Sequence, residues 1–120
     1  MAREFSRSSR IGASVKRILA PLVSDFLREN GAGLATITGV DVAPDLRHAR
    51  VYVSVFEDRD HDPVRAIELL NDSSGAFRSA LGRELRAKRT PALKFARDET
   101  IEQGDRIARL LEHSDLGRRA

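Results

Sequence analysis

Apolar residues near the start of the chain recur at the spacing of one helical face. They step by four, three, four and four residues, at Ile11, Val15, Ile18, Leu22 and Phe26. A serine at position 8 or 9 is suited to cap this helix, and NGAG at residues 30–33 is suited to end it. Pro21 lies inside the pattern and lacks a backbone N–H, so we expect a kink there.

Period-two alternation then takes over in LATITGVDVAPDLRHARVYVSVF, which predicts a strand, a short turn and a second strand. In the second strand, alternate residues form an inward apolar set of Ala49, Val51, Val53 and Val55. Later, ALKFAR predicts a third strand with Leu93 and Phe95 facing inward. Asp98 then stands where it would cap a last amphipathic helix, with apolar residues Ile101, Ile107, Leu110 and Leu111.

The segment LLNDSSGAFRSALGRELRAKR combines helical periodicity with residues that usually interrupt helices. Asp62 followed by Pro63 predicts the start of a helix before it. The apolar phase then continues straight through NDSSG, at Ile67, Leu70, Ser74, Phe77 and Leu81. Because a loop would usually reset this phase, we predict two helices joined by a kink, where Gly75 lets the backbone deviate.

The helix after the kink is predicted to reach Arg89, because Thr90 precedes a proline and avoids the helical conformation. Leu81 and Leu85 extend its buried stripe. Four arginines lie on another side, namely Arg78, Arg83, Arg86 and Arg89. Backbone N–H groups near Gly75, at the start of this helix, would favour phosphate, so the segment suits a polyanion.

The predicted order is helix, strand, strand, helix, kink, helix, strand and a C-terminal helix. A hairpin, a later third strand and helices able to cover one face define an α+β two-layer domain. The chain has 120 residues, 41% of them hydrophobic, which suffices for one modest core. We therefore expect a single domain over residues 1–113 and a C-terminal tail over residues 114–120.

Positive charge is concentrated in two segments, although the net charge is only +3. Residues 1–31 carry six Lys/Arg against three Asp/Glu, and residues 75–94 carry six against one. Residues 41–74, by contrast, carry four against eight. If folding brings the two basic segments together, they would suit a polyanionic partner, whereas an ordinary solvated surface is the alternative.

Several kinds of chemistry lack their residues in this sequence. There is no cysteine, and His48, His61 and His113 have no neighbours at helical ligand spacing, so we expect no metal site. No apolar run approaches membrane-spanning length, so we expect a cytoplasmic protein. Asp41, Asp45 and His48 could form an acid–base site in a concave pocket, but turn chemistry also accounts for Asp45.

Four long stretches together resemble ribosome-binding factor A, a family of bacterial small-subunit assembly factors. They are REFSRSSRIGASVKRIL, TITGVDVAPDLRHARVYVSVF, GAFRSALGRELRAKRTPALKFARDET and IEQGDRIARLLE. The resemblance implies a type II KH-like fold, in which helices back a three-stranded sheet. It also implies that an Ala-x-Gly bend replaces the GxxG loop of KH domains; here Ser73-Ser74-Gly75 occupies that place, with serine where alanine is typical.

The resemblance implies a binding factor without catalytic activity or cofactor. Such a factor binds free 30S subunits or their precursors through 16S rRNA and supports late maturation, including 5′-end processing, and growth in the cold. A GTPase that displaces it from mature subunits is an implied functional partner, and we expect a monomer. Two alternatives stay open: a KH-like protein that binds single-stranded RNA away from the ribosome, and a protein-interaction module with little salt sensitivity.

The candidate RNA-contacting residues are cations of the two basic segments. Arg10, Arg17 and Arg28 share a strip of the first helix away from its apolar face. Since aromatic residues make up only 5% of the chain, we expect contacts to phosphate and recognition of shape. The full candidate set is Arg7, Arg10, Lys16, Arg17, Arg28, Arg78, Arg83, Arg86, Lys88 and Arg89.

Overall fold

Three helices pack on one face of a three-stranded sheet in the computed structural model, which describes residues 2–99. In chain order the elements are α1 (Ala2–Glu29), β1 (Ala35–Val42), β2 (His48–Val55), α2 (Pro63–Asp72), α3 (Ser74–Glu84) and β3 (Ala92–Arg97). β1 and β2 form an antiparallel hairpin, and β3 lies parallel to β2 on its other side. The predicted α+β two-layer architecture is thereby confirmed. The predicted C-terminal helix and tail lie outside the described residues.

The core lies between the sheet and the helices. The predicted inward sets of β2 and β3 are buried, and four apolar residues of α1 meet them: Val15, Leu19, Val23 and Leu27. The Phe77 ring makes edge contacts with Phe26 at 5.2 Å and with Phe95 at 5.4 Å between ring centroids. These contacts join α1, α3 and β3 in one cluster.

α1 begins earlier than the sequence pattern predicts. It starts at Ala2, so the serines at positions 8 and 9 lie inside the helix and the predicted cap there is wrong. Alanine, arginine and glutamate, which favour helix, precede them. The helix continues through Pro21 as one element, and the kink at that residue stays a prediction. Gly12 lies close against β1, since a Cβ there would be 3.1 Å from the Val40 carbonyl oxygen.

β1 contains a bulge that the alternation pattern did not predict. The pairing with β2 shifts between Ile37 and Gly39, which leaves Thr38 as an extra residue. The Thr38 hydroxyl donates to a carboxylate oxygen of Asp98 at 2.5 Å, so the bulge is tied to the residue that follows β3. Gly39 was the signal in the sequence, because a glycine inside a strand often marks a bulge.

The predicted pair of helices joined by a kink is confirmed. α2 ends at Asp72, α3 begins at Ser74, and the Ser73 side chain makes no capping hydrogen bond. Leu70 and Phe77 are buried on either side of the kink, whereas Ser74 is half-buried. The apolar phase therefore passes through the kink and directs both helices at the same core.

The side chain of Asn71 anchors the end of α2 to the edge of the sheet. Its Nδ2 donates to the Phe95 carbonyl oxygen at 2.9 Å, and its Oδ1 accepts from the Phe95 N–H at 2.8 Å. β3 has β2 on one side only, so this amide satisfies backbone groups that a further strand would otherwise pair.

α3 ends at Glu84, well before the predicted end at Arg89, so that prediction is wrong. Leu85 is already extended, with φ −77° and ψ 122°, although its N–H still donates to the Leu81 carbonyl at 2.8 Å. The chain turns here because it must return to start β3 at Ala92 beside β2. As a result, the cations at positions 86–89 lie in a loop rather than on a helical face.

Candidate nucleic-acid interface

A cleft of about 860 Å³ lies between the first turns of α1 and the loop that follows α3. Its cations come from both segments, and we call the cleft with these five residues the basic cleft: Arg7, Arg10, Arg86, Lys88 and Arg89. Ile11, Leu46 and Leu85 contribute apolar lining. All five cations are exposed, and none of them has an ion pair with another described residue.

Folding therefore brings parts of the two basic segments together, as the charge distribution suggested, but not all of each. Lys16, Arg17 and Arg28 are exposed on later turns of α1 and do not line the basic cleft. At 1.5 Å per residue, Arg28 lies about 27 Å beyond Arg10 along the helix. Arg83 is exposed on α3, also outside the cleft.

A second hollow, of about 520 Å³, continues the basic surface past the cleft. Arg47, His48, Arg78 and Thr90 are among its lining residues, and Arg89 lines both spaces. Sequence reasoning missed Arg47 because it stands in the acidic part of the chain, in the turn between β1 and β2. The position of that turn at the mouth of the cleft could not be seen in the charge blocks.

Arg78 has a structural task that the sequence did not indicate. Its Nε and one terminal nitrogen donate to the Thr90 carbonyl oxygen at 3.2 and 2.9 Å. Thr90 also packs on α3 at Gly82, where a Cβ would lie 3.1 Å from the threonine hydroxyl oxygen. The guanidinium thus holds the loop that carries Arg86 and Arg89 against α3.

Substituting Arg78→Ala is expected to loosen this loop. A hydrogen bond from a charged donor contributes about 1.5 kcal/mol or more, so trypsin cleavage after Arg86, Lys88 and Arg89 should become about tenfold faster. Arg78→Lys keeps the charge but loses the planar fork, and we expect most of the same effect. Arg83→Ala is the matched control, because Arg83 lies on the same helix and makes no hydrogen bond with another described residue. Equal cleavage rates in Arg78→Ala and Arg83→Ala would contradict this role.

The kink residues lie away from the basic cleft. Ser73, Ser74 and Gly75 are at the start of α3, and the cationic loop follows its end. A helix of 11 residues spans about 16 Å, so phosphate held at the kink would not be the phosphate held by Arg86. Gly75 itself is exposed, with open space where a Cβ would stand. The structure therefore separates two features that the sequence combined on one basic helix.

The three residues of the possible acid–base site do not share a pocket. Asp41 and His48 line a hollow of about 530 Å³, whereas Asp45 lines the basic cleft. The Asp45 carboxylate accepts the Arg47 N–H at 3.0 Å, as expected for a residue that fixes a turn. Leu46 follows it with φ 63°, a conformation that leucine rarely adopts. The trio is therefore divided between two hollows.

Residues 2–99 hold neither a group of metal-ligating side chains nor a membrane-spanning helix. In that part of the chain, no group of three or more histidine, aspartate or glutamate side chains is arranged to hold a metal ion. No helix in the same part is long and apolar enough to cross a membrane.

Comparison with known proteins identifies the family of this chain. The sequence model of the family "Ribosome-binding factor A" matches residues 7–111. The chain is 38% identical to ribosome-binding factor A of Alkalilimnicola ehrlichii over 95% of this chain and 88% of that one. It is 37% identical to that of Pseudomonas paraeruginosa, over 95% and 90% of the two chains.

Solved structures show the same likeness. The crystal structure of ribosome-binding factor A from Thermus thermophilus superposes with a TM-score of 0.64 and 27% identity, over 75% of this chain and 94% of that one. A homology model of the Thermus protein was fitted into the cryo-EM map of a 30S complex. It superposes with a TM-score of 0.63 and 26% identity, over 77% of this chain and 96% of that one.

The described part of the chain is thus a type II KH-like α+β domain, in which helices back a three-stranded sheet. With a family match over most of its length and relatives above one-third identity, the chain belongs to the ribosome-binding factor A family.

Proposed function

We propose that this protein binds the free small ribosomal subunit or its precursor and that phosphates of 16S rRNA enter the basic cleft. The cleft itself carries the proposal, because it presents five exposed cations from two distant segments on one surface. The similarity to the Thermus relative, whose homology model was fitted into the map of a 30S complex, also supports the proposal.

Recognition by shape fits the composition of the cleft. None of the described residues that line it is aromatic, so these residues offer no platform on which unpaired bases could stack. Arginine forks above apolar lining suit phosphates of a folded RNA, whose spacing is set by helix geometry rather than by sequence. This favours folded rRNA over the free single strand that was the alternative.

The proposed role is that of a cytoplasmic assembly factor in late maturation of the small subunit. It includes support for processing of the 16S rRNA 5′ end and for growth in the cold, as the family resemblance implies. The protein would act as a monomer without catalysis, and a small-subunit assembly GTPase would release it from mature subunits. The separation of Asp41 and His48 from Asp45 supports a binding factor rather than an enzyme.

Sedimentation tests the proposed function directly. In a gradient of cell lysate, we expect the tagged protein to move with free 30S subunits and not with 70S ribosomes. A tenfold excess of a short single-stranded RNA should leave this association intact. Migration at the top of the gradient, or complete displacement by the short RNA, would contradict subunit binding and favour the ribosome-independent alternative.

A further inference from the structure

Large apolar side chains are exposed at the end of the sheet opposite the basic cleft. Leu34 precedes β1, Phe56 follows β2 and Val64 lies in the first turn of α2, with exposures of 67%, 61% and 54%. The basic cleft includes the turn at the other end of the same hairpin. Strands of eight residues place the two ends about 26 Å apart. We call Leu34, Phe56 and Val64 the apolar patch.

A backbone hydrogen bond joins Leu34 and Phe56, and the loop before Val64 lies against the residue that precedes Leu34. The Phe56 N–H donates to the Leu34 carbonyl oxygen at 2.8 Å. Just before Leu34, Gly33 has φ 101° and lies against His61, whose ring would be 3.1 Å from a Cβ at that glycine. The loop of His61 leads directly into α2, whose first turn carries Val64.

The loop beside the patch is acidic. Residues 57–62 carry four carboxylates and one arginine: Glu57, Asp58, Asp60, Asp62 and Arg59. The N–H of Asp60, with further help from His61, holds the pKa of the Asp58 carboxyl below its ordinary value, against an opposing effect of desolvation. With four carboxylates against one arginine, the loop carries net negative charge, although the Arg97 guanidinium lies 3.7 Å from the Glu57 carboxylate. A phosphate backbone would be repelled by this loop.

Single exposed apolar residues are common on protein surfaces, but this concentration is not matched elsewhere among residues 7–99. Outside the patch, the most exposed large apolar side chain of residues 7–99 is Leu22, at 36%. An apolar centre with a polar, charged rim is the usual anatomy of a protein–protein interface. The charge of the rim then selects the sign of the partner.

We propose that the apolar patch docks a lysine- or arginine-rich segment of a small-subunit protein, with an apolar side chain of that segment covering Phe56. The basic residues of the segment meet the carboxylates of residues 57–62. This inference rests on the proposed function and deepens it. The basic cleft at one end of the domain then contacts rRNA, and the apolar patch at the other end contacts a protein of the same subunit. Two such contacts fix the orientation of the domain on the subunit as well as its affinity.

Photo-crosslinking identifies the occupant. p-Benzoylphenylalanine in place of Phe56 is illuminated in the full chain bound to purified 30S subunits, and the same group in place of Leu22 is the control. We expect about tenfold more protein adducts from position 56, mapped by mass spectrometry to segments rich in lysine and arginine. Adducts to rRNA, to residues 100–120 of the same chain or to a second copy would overturn the proposal. The absence of any adduct from position 56 would overturn it as well.

Affinity supplies a second measurement. The double substitution Phe56→Ser and Val64→Ser is expected to weaken 30S binding about tenfold and to leave the unfolding midpoint nearly unchanged, because both side chains are exposed. Leu22→Ser should leave affinity unchanged. Normal affinity in the double variant would overturn the patch proposal alone. Failure of the unsubstituted chain to sediment with 30S subunits would overturn the proposed function together with it.

Discussion

Substituting Arg10, Arg86 and Arg89 with glutamate is expected to lower the affinity for purified 30S subunits by about two orders of magnitude at moderate salt. Each phosphate contact releases condensed counterions, so the logarithm of the binding constant falls with the logarithm of salt concentration. Losing three contacts should reduce that slope by about three. Equilibrium binding measured at several salt concentrations gives both quantities.

A matched variant separates the basic cleft from overall charge. The control replaces three exposed arginines that lie outside the cleft, Arg17, Arg28 and Arg83. Their replacement with glutamate changes the net charge by the same amount, and we expect a loss of about tenfold or less, through long-range electrostatics. Equal losses in the two triple variants, both folded by circular dichroism, would show that no particular surface is used.

Asn71→Ala is expected to destabilise the domain by about 3 kcal/mol. The substitution removes two hydrogen bonds and leaves the N–H and carbonyl of Phe95 unpaired in a partly buried place, at about 1–3 kcal/mol for each orphaned group. It also frees the end of α2 from β3, so the loss should be cooperative. Chemical denaturation monitored by circular dichroism measures the free energy of unfolding.

Two further substitutions test the cause of this loss. Asn71→Asp keeps an acceptor for the Phe95 N–H but loses the donor, so its stability should fall between the parent and Asn71→Ala. Asn30→Ala removes an exposed asparagine whose side chain donates to the Phe26 carbonyl at 2.8 Å. We expect it to lower the free energy of unfolding by less than about 1 kcal/mol. If Asn71→Ala and Asn30→Ala cost the same, the amide pair with β3 has no special importance.

The kink shows what local pattern can reveal. The apolar phase across NDSSG requires both helices to face one core, and Leu70, Phe77 and Leu81 are buried as that phase predicts. The same phase could not reveal that α3 ends at Glu84. Leu85 already lies beyond the helix, but it is apolar and continues the helical pattern in the sequence. There, the return of the chain to β3 overrides local helix propensity.

The candidate site was predictable only in outline. Charge blocks indicated that two basic segments could meet, but not that Arg86 and Arg89 would face Arg10 while Arg28 lies far along α1. The supporting role of Arg78 depends on a carbonyl 12 residues away, and no spacing rule signals it. Arg47 was missed because an acidic segment surrounds it.

By itself, the sequence determined the order of helices and strands, the inward face of the hairpin, the kink and the family to which the chain belongs. The first three follow from periodicity or from residues that are close in the chain, and the family follows from the resemblance of four long stretches. The tertiary structure alone decided which cations share a cleft and that Asn71 pairs with the edge of β3. It also decided that the apolar patch, with an acidic loop beside it, lies at the end of the sheet opposite the basic cleft. Those features depend on contacts between residues distant in sequence, which form only when the helices close over the sheet.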